Sequence, residues 1–353
     1  MARTDTTTLA DEYAALTEQC GIVDRSERGK LALTGSGAVE FLNGQITNEL
    51  VGLSPGEGCY AAFLTHKGKM LGDLRILAVA GMEQAQPAAD GTLSAAGVTL
   101  SEKPATEPAE LLLDTERGAL QALFDMIRRF KVGYDVELHK RTLESSLLSL
   151  IGPDAEATAA KAFSLEEAQL PASEHSHLLA RLGQTSSVRL TRTDLGFDLL
   201  FEAGALETVR GTLQAAGAVS VSEAAAEIVR VEHGRPRYGI DLDESTIPQE
   251  AGLNQRAVSF TKGCYVGQET VARLYYKGKP NRHLRGLRLS EPTEPGAPLA
   301  LGERSVGSLG SSVISPRLGP IGLALVRREA EPGATVSVGA QGAEAVVVEL
   351  PFR

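Results

Sequence analysis

The chain has 353 residues, more than one ordinary hydrophobic core holds, so two or three domains are expected. Hydrophobic residues make up 42% and charged residues 23%, as in soluble globular proteins, and no apolar run approaches the roughly 20 residues of a membrane-spanning helix. The formal net charge of −10 argues against general nucleic-acid binding, because such proteins carry a basic stripe.

The N-terminal stretch and the cysteines indicate the compartment. Residues 1–16 are polar and lack the apolar segment of a signal peptide, and they do not have the composition of a transit peptide either. Cys20, Cys59 and Cys264 show no CxxC spacing, which argues against a disulfide framework and a zinc ribbon. We therefore expect a reducing, cytoplasmic location.

The first part of the chain predicts a helix and a hairpin. Apolar residues recur at intervals of three and four over residues 39–50, with Ser36 in position to cap an amphipathic helix. Turn residues at 55–58 and 67–69 flank short apolar runs, a pattern typical of two paired strands. Residues 81–109 are small, polar and without a sustained period, which predicts a long surface loop.

Regular elements are predicted again after this loop. The run LLLD predicts a strand, and the helix that follows places an apolar face over residues 120–127. This helix ends in a basic cluster of Arg128, Arg129 and Lys131. Residues 130–138 then predict another strand.

The rest of the chain predicts mixed layers followed by an all-β unit. Strand and helix patterns alternate over residues 145–232, which favours α+β layers with antiparallel sheets. The last of these helices is expected to end near Glu232, because Gly234 and Pro236 follow. A turn-rich loop comes next, and beyond about Asn281 short apolar stretches separated by Gly and Pro predict a small β-barrel or sandwich.

The most specific segment is the eight-residue run Lys262-Gly263-Cys264-Tyr265-Val266-Gly267-Gln268-Glu269. It matches the hallmark of the YgfZ family, relatives of the glycine cleavage T-protein. The segments FLNGQITNEL, RVEHGRPRYGIDLDESTIPQE and VVVELPF resemble other motifs of that superfamily. The likeness covers nearly the whole chain from about residue 20, with the loop over 81–109 as the main unmatched piece.

This resemblance implies a domain arrangement. Two interlocked α+β domains with antiparallel sheets are expected over residues 1–280, divided near residue 140, with the signature segment in the second part. A small C-terminal β-barrel domain is expected over residues 281–353. Together they are expected to surround a central folate-binding channel, so the implied cofactor is tetrahydrofolate or a derivative.

A folate site needs an acid, apolar walls and positive charge, because a reduced folate has pterin N–H donors, an apolar ring and an anionic tail. Glu232 is the candidate for the pterin, since an ionised carboxylate accepts two neighbouring N–H bonds; a solvated acid at a helix end is the alternative. Tyr238 and Tyr60 are candidate walls, with ordinary packing as the alternative. Arg237 and Lys67 are candidates for the tail.

The hairpin motif bears on catalysis. In the T-protein, which transfers an aminomethyl group to tetrahydrofolate, this motif carries paired aspartates preceded by glycines. Here Asp73 remains and Gly72 stands in the other's place, which puts aminomethyl transfer in doubt. The family motif also makes Gln45 and Asn48 candidates to line the channel, although solvent-facing amides are nearly as good an interpretation.

The signature segment supplies the other catalytic candidate, Cys264. Lys262 lies two residues away, so a nearby ammonium would lower the pKa of the thiol if the cysteine is partly exposed. A small buried hydrophobe is the alternative interpretation. Glycines permit a closely approached backbone, and the polar residues are expected to hold the loop. The remaining signature residues in question are Gly263, Tyr265, Gly267, Gln268 and Glu269.

Three functions follow from the resemblance. The first is a folate-binding accessory protein for iron–sulfur cluster assembly or repair, with clients that include tRNA-modifying enzymes, in which Cys264 handles sulfur, iron or a one-carbon species. The second is an aminomethyltransferase. The third is a non-catalytic folate-sensing scaffold that contacts such enzymes through the cluster of Arg128, Arg129 and Lys131, for which solvation of a helix end is the alternative. Binding to DNA or to a membrane is not expected.

Motifs for other chemistry are absent from the sequence. There is no complete dinucleotide fingerprint, P-loop, HExxH or GxSxG run. The pair His175 and His177 lacks a nearby Cys or third His, so no metal site is expected.

Overall fold

The computed structural model describes residues 8–80, 108–182, 186–340 and 342–353. The loop predicted over residues 81–109 lies outside the described residues except for its last two. In the described part of the chain, no helix has the length and apolar character needed to cross a membrane.

The described residues form eight α-helices, two short 3₁₀ helices and seventeen strands. In chain order the helices are α1 (Leu9–Glu18), α2 (Ala38–Asn43), α3 (Leu120–Phe130), α4 (Ala155–Phe163), α5 (Leu206–Ala216), α6 (Glu223–Glu232), α7 (Asn254–Ala257) and α8 (Gln268–Lys277). The strands are β1 (Gly21–Asp24), β2 (Gly29–Thr34), β3 (Gly58–Leu64), β4 (Met70–Val79), β5 (Glu110–Thr115), β6 (Glu137–Lys140), β7 (Ser145–Ile151), β8 (His177–Leu182), β9 (Ser186–Thr193), β10 (Gly196–Glu202), β11 (Val219–Ser220), β12 (Arg282–Leu289), β13 (Pro298–Leu301), β14 (Arg304–Ser315), β15 (Gly319–Arg327), β16 (Thr335–Val338) and β17 (Ala343–Val348).

The first sheet has five antiparallel strands in the order β3-β4-β5-β2-β6. Helices α2 and α3 pack on one of its faces, where alternate apolar side chains of the strands form a core. The other face carries charged residues that are nevertheless buried, among them Asp73, Arg75 and Asp114. That charged face borders the candidate site.

The second sheet has six strands in the order β11-β1-β7-β10-β9-β8, and α4 and α5 cover its apolar core. Strand β1 comes from the start of the chain, yet it pairs with β7 and, in parallel, with β11. The first segment of the chain therefore completes a sheet that is otherwise built from residues 145–220.

The third unit is a closed antiparallel barrel of six strands in the order β12-β15-β14-β13-β16-β17. Its interior is filled by small and branched apolar residues such as Leu287, Val306, Val336 and Val347. The predictions of an α+β fold with antiparallel sheets and of a C-terminal β-barrel are both confirmed.

Helix α6 connects the three units. Its apolar face packs against α1 through Tyr13, Leu16, Ile228 and Val229. Ser222 caps its first turn by accepting a hydrogen bond from the Ala225 amide. The helix ends at Glu232, as predicted from the Gly and Pro that follow.

The predicted bounds of one helix and one strand were wrong. The helix predicted through residue 50 ends at Asn43, because Ile46 pairs with Phe63 on β3 and the Thr47 amide donates to the Ala62 carbonyl. The strand predicted over residues 130–138 begins only at Glu137, because α3 continues to Phe130 and a turn follows.

Candidate functional site

A central cavity of about 210 Å³ lies between the charged faces of the two sheets, beside the loop that follows α6. Its charged lining residues are seven arginines and six acids, so the two signs nearly balance. The arginines are Arg25, Arg28, Arg75, Arg230, Arg235, Arg237 and Arg256, and the acids are Asp73, Asp114, Glu116, Glu174, Asp194 and Asp198. Such a lining offers hydrogen-bond donors and acceptors to one ligand.

Arg75 on β4 holds the two sheets together across this cavity. Its guanidinium donates to Asp114 Oδ2 on β5 and to Asp198 Oδ2 on β10, each at 2.6 Å. Arg28 Nε donates to the second oxygen of Asp114 at 2.7 Å, and Ser149 donates to that of Asp198. Burial disfavours the charge on Asp114, but Arg28 and Arg75 outweigh it and hold the pKa of this carboxyl below its usual value.

Asp73 forms a second polar pair in the cavity wall with Tyr60. The Tyr60 hydroxyl donates to Asp73 Oδ2 at 2.6 Å, and the Asp73 side chain is buried. Burial raises the pKa of Asp73 to about 6, although the hydrogen bond from Tyr60 favours the ionised form. Asp73 therefore holds its proton to a higher pH than a solvent-exposed aspartate does.

Three residues of the wall carry buried polar atoms without a hydrogen-bond partner among the described residues. These atoms are Arg75 Nε, His175 Nδ1 and Arg237 Nε. Buried polar atoms are normally paired, so unpaired ones on a cavity wall mark groups that a ligand would satisfy. His175 also has a left-handed backbone, with φ of 69°, which is uncommon for a residue other than glycine.

The environment of His175 keeps its ring neutral. Burial and the charge of Arg75 lower the pKa of this histidine to about 4. Its ring centroid lies 6.3 Å from that of Tyr60, and the Arg256 guanidinium lies 5.6 Å from the same tyrosine ring. The cavity wall next to Asp73 is thus made of three planar side-chain groups, those of Tyr60, His175 and Arg256.

A larger groove of about 790 Å³ adjoins the central cavity and shares Ile151, Asp194 and Leu195 with it. Glu232 lines this groove and is only 3% exposed. Its carboxylate accepts hydrogen bonds from the Tyr13 hydroxyl at 2.9 Å, from the Ser315 hydroxyl and from Arg317 at 3.2 Å.

Glu232 is thus in the wall of the larger groove and not among the described lining of the central cavity, so its expected role toward a pterin stays a prediction. Its oxygens are occupied by donors from α1 and the barrel. Tyr60, Arg237 and Asp73, by contrast, all line the central cavity. Tyr238 packs beside it, where its hydroxyl lies 3.4 Å from the Met70 carbonyl and burial raises its pKa to about 12.

The other folate candidates occupy the hairpin and the turn after α2. Lys67 is exposed at the β3–β4 turn, and Gln45 is half-buried in the turn after α2. Asn48 holds β3, because its side-chain amide donates to the Tyr60 carbonyl at 2.9 Å. None of these three side chains is among the described lining of either cavity.

The signature segment leads into α8. Cys264 is exposed and is not among the described lining of the two cavities. The Lys262 ammonium is buried and donates to the carbonyls of Asn43, Ile46 and Asn48, so its three donors are used away from the thiol. The expected activation of Cys264 by Lys262 is therefore not supported.

The other signature residues have structural contacts. Tyr265 is buried, Glu269 is exposed, and the Gln268 amide lies 3.4 Å from the Gly263 carbonyl. Gly267 has a left-handed backbone with φ of 84°. These contacts shape the turn that precedes α8.

Sequence reasoning missed much of the charged wall, including Arg28, Arg75, Asp114, Asp198 and His175. One signal was present: Arg75 and Asp198 stand inside otherwise apolar strand sequences, LRILAV and FDLLFE. Charged residues within buried strands are rare unless they are paired. The described residues contain no cluster of His, Cys, Asp and Glu suited to a metal ion.

Gly72, which replaces an aspartate in the T-protein pattern, is tightly enclosed. A Cβ atom at this position would lie 2.7 Å from the Phe63 ring and 2.7 Å from Ala119 Cβ. Contacts this short require the neighbours to shift, so the site has no room for a second carboxylate beside Asp73.

Two family models match most of the chain, and curated relatives are similar along nearly its whole length. A family model described as the GCVT N-terminal domain matches residues 2–85 and 105–262, and one described as the glycine cleavage T-protein C-terminal barrel domain matches residues 282–353. A chloroplastic protein of Arabidopsis thaliana classed as a transferase is 28% identical over 94% of this chain and 71% of its own length. An aminomethyltransferase of Thermotoga petrophila is 27% identical over 98% of this chain and 90% of its own.

A solved structure supports the fold. The glycine cleavage system aminomethyltransferase T of Bartonella henselae superposes with a TM-score of 0.80 at 23% identity, covering 99% of this chain and 90% of that one.

The enclosure of Gly72 predicts a stability loss. Gly72→Ala is expected to lower the free energy of unfolding by roughly 1–3 kcal/mol, because the added methyl overpacks against Phe63 and Ala119. Gly118→Ala is the matched control, since a Cβ there meets no described atom within 4 Å. Urea denaturation of both variants measures the difference, and equal stabilities would contradict the packing at Gly72.

The raised pKa of Asp73 predicts a pH dependence. Between about pH 4 and 6 the unfolded chain loses this proton while the folded chain keeps it, so unfolding becomes easier as pH rises, by roughly 2–3 kcal/mol in total. Asp73→Asn removes this loss, so its stability relative to the wild type should increase through that window. Urea denaturation at a series of pH values tests it, with the exposed Asp125→Asn as the control; parallel pH curves for wild type and Asp73→Asn would refute the assignment.

Proposed function

This chain belongs to the glycine cleavage T-protein family, and from that premise we propose that it binds a reduced folate, tetrahydrofolate or a derivative, in the central cavity. The observation that carries the proposal is a set of three buried atoms on the cavity wall that lack a hydrogen-bond partner among the described residues. They are Arg75 Nε, His175 Nδ1 and Arg237 Nε, the last of which lies 3.8 Å from Glu116 Oε1. A ligand that brings both donors and acceptors into the cavity would satisfy them.

The residues present fit such a ligand. The pterin edge carries N–H donors, for which the ionised oxygens of Asp198 are acceptors with unused lone pairs. The pterin also carries acceptor atoms, which suit the Nε groups of Arg75 and Arg237, since neither has a hydrogen-bond partner among the described residues. At about 210 Å³ the central cavity is smaller than the roughly 300–1,000 Å³ of typical ligand pockets, so it suits the bicyclic head group rather than the whole molecule.

Asp73 is the group that would move a proton in this site. A bound folate would supply the nitrogen that carries a one-carbon unit. Asp73, with a pKa of about 6, both holds and releases a proton near neutral pH, which is the property of an acid–base residue. The Tyr60 hydroxyl fixes the orientation of the carboxyl group through the 2.6 Å hydrogen bond.

Aminomethyl transfer is the second candidate function. It is favoured by the relatives named aminomethyltransferases and by the buried, titratable Asp73. The packing around Gly72 weighs against it, because the paired aspartates of the T-protein pattern are reduced to one and the enclosed backbone leaves no space for the other.

We therefore favour the accessory role that the YgfZ resemblance implies, in iron–sulfur cluster assembly or repair for client enzymes that include tRNA-modifying ones. The observation in its favour is the contrast among the cysteines. Cys264 is exposed, whereas burial raises the pKa of Cys20 to about 11 and that of Cys59 to about 12. Cys264 is the one fully exposed thiol, since Cys59 is half-buried and Cys20 buried. One such thiol is too few ligands for a cluster, so a client would supply the others.

The folate-sensing scaffold has weaker support. Arg128 and Arg129 are exposed in the last turn of α3, where cations favour the helix dipole without any partner. The Lys131 ammonium donates to the Val136 carbonyl at 2.9 Å within the same unit. The basic cluster is thus accounted for by local structure.

Folate binding is tested by calorimetric titration of tetrahydrofolate into three proteins. The wild type should bind saturably, and His175→Asn, which tolerates a left-handed backbone but withdraws Nδ1, should bind about tenfold more weakly, the cost of one hydrogen bond in a buried site. Glu232→Gln, a change in the adjoining groove, should stay within about twofold of the wild type.

Two other results would contradict the proposal, one for folate binding itself and one for its location. No saturable binding by the wild type would refute folate binding. A loss in Glu232→Gln with none in His175→Asn would move the site to the larger groove.

The accessory role predicts that the exposed thiol is required in cells. In a strain lacking this chain, Cys264→Ala should fail to restore the activity of an iron–sulfur tRNA-modifying enzyme, while Cys59→Ala and Cys20→Ala should restore it. The readout is the modified nucleoside content of tRNA. Full restoration by Cys264→Ala would contradict the role of the thiol, and failure of Asp73→Asn alone would favour the transferase instead.

A further inference from the structure

The signature segment lies against the hairpin that carries Tyr60 and Asp73. At Gly267 a Cβ atom would lie 2.6 Å from the Thr65 carbonyl oxygen and 3.1 Å from Gly68 Cα, so the backbones of the segment and the hairpin turn are in close contact. Only glycine tolerates both this approach and a φ of 84°. The segment therefore packs against the hairpin at its turn.

Lys262 makes the second contact, in the turn over residues 43–48. Its ammonium lies 2.6 Å from the Asn43 carbonyl oxygen, 3.0 Å from that of Ile46 and 2.6 Å from that of Asn48. An ammonium has three donors, and each of them has a partner here. The side chain thus binds a turn that is more than two hundred positions away in the sequence.

The 43–48 turn is hydrogen-bonded to β3, the strand that carries Tyr60. The Asn48 side-chain amide donates to the Tyr60 carbonyl at 2.9 Å. The Thr47 amide donates to the Ala62 carbonyl at 3.0 Å, and the Thr47 hydroxyl accepts from the Ala62 amide at 2.9 Å. The position of β3 at Tyr60 therefore depends on the conformation of residues 47 and 48.

Three hydrogen bonds, joined through the covalent structure of Asn48 and Tyr60, thus lead from the signature segment to the cavity. They run from the Lys262 ammonium to the Asn48 carbonyl, from the Asn48 amide to Tyr60, and from the Tyr60 hydroxyl to Asp73 Oδ2. Each step is 2.9 Å or shorter. No step involves Cys264.

We propose that Lys262 is a positioning residue for Asp73: its ammonium fixes the 43–48 turn, and through Asn48 this turn holds the Tyr60 hydroxyl on the Asp73 carboxyl group. The proposal gives the lysine of the signature a role separate from the thiol two residues later. The signature segment would then stabilise the position of Asp73, the residue proposed for acid–base chemistry in the cavity.

The charged and titratable groups around Asp73 determine how its pKa responds when the Tyr60 hydrogen bond is lost. The ionisable groups that act on its pKa are Tyr60 from β3, Glu116 just after β5, Arg28 just before β2 and Asp114 from β5. The Asp73 charge also acts on Tyr238 in the loop after α6. Of these, Tyr60 is the one that Lys262 holds through the chain of hydrogen bonds. Loss of the Tyr60 hydrogen bond removes a contact that favours the ionised carboxyl, so the pKa of Asp73 should rise above its value of about 6.

The test measures this pKa directly in the protein without any added ligand. Aspartate labelled with ¹³C at the side-chain carboxyl gives one titration curve per residue, and Asp73→Asn identifies the curve of Asp73. Tyr60→Phe removes the hydrogen bond completely and should raise the titration midpoint of Asp73 by about one pH unit, the largest shift expected. Lys262→Met and Asn48→Ala should each give a large part of that rise, and the double variant should give no more than Lys262→Met alone.

The controls separate positioning from general destabilisation. Lys131→Met removes an ammonium that also donates to a backbone carbonyl, that of Val136, and should leave the midpoint of Asp73 unchanged. Lys262→Arg keeps the charge and some donors, so it should restore part of the wild-type midpoint. If Lys262→Met fails to fold, Asn48→Ala decides, since it leaves the Lys262 ammonium and its carbonyl partners in place.

An Asp73 midpoint that stays at the wild-type value in both Lys262→Met and Asn48→Ala, while it moves in Tyr60→Phe, would overturn the proposal. A midpoint unmoved by Tyr60→Phe would overturn it as well. The measurement needs no folate, so a failure of the proposed folate binding would leave the result intact.

Discussion

The ion pairs of Arg75 are the interaction on which the rest of the site depends. One guanidinium binds a carboxylate of its own sheet, Asp114, and a carboxylate of the facing sheet, Asp198. Buried ion pairs rarely stabilise a fold more than apolar packing would, but breaking one leaves a costly unpaired charge. The two sheets are therefore held at a separation that keeps a polar space between them, instead of closing into a continuous apolar core.

The two buried carboxylates Asp73 and Glu232 show how partners assign different roles to the same chemical group. Glu232 receives donors from α1 and from the barrel, so its oxygens are used in joining three parts of the chain. Asp73 has a single side-chain donor, Tyr60, and burial keeps its pKa close to neutral pH. The two acids thus differ in their hydrogen-bond partners, although in the sequence both are acidic residues near T-protein motifs.

Much of the fold could be predicted from local signals, because periodicity, caps and turn residues act over short distances. The end of α6 before Gly234 and the strands flanking the β3–β4 turn are examples. Helix α2 was predicted too long because Ile46 pairs with a distant strand, a contact that local pattern does not contain. Helix α8 was missed because its sequence is polar overall and Val271 is its one buried residue, although its few apolar residues lie on one side of the helix.

The site was only partly predictable for the same reason. Asp73, Tyr60 and Arg237 were recognised from motifs, but the partner of Arg75 on the other sheet is 123 positions away and that of Lys262 more than 200. A lysine beside a cysteine suggests thiol activation in the sequence, and only the carbonyl oxygens around the ammonium assign it elsewhere. Such pairings become visible when the chain is folded.

The route of the chain also has a consequence for its synthesis on the ribosome. Strand β1 is made early but completes a sheet with β7 and β11, and the Tyr13 partner Glu232 is 219 residues downstream. At about 5–20 residues per second, translation leaves these N-terminal segments without their partners for on the order of ten seconds or more. During that interval β1, which later has a neighbour on each side, and helix α1 are open to other chains, so nascent copies on one messenger are exposed to mispairing at these two segments.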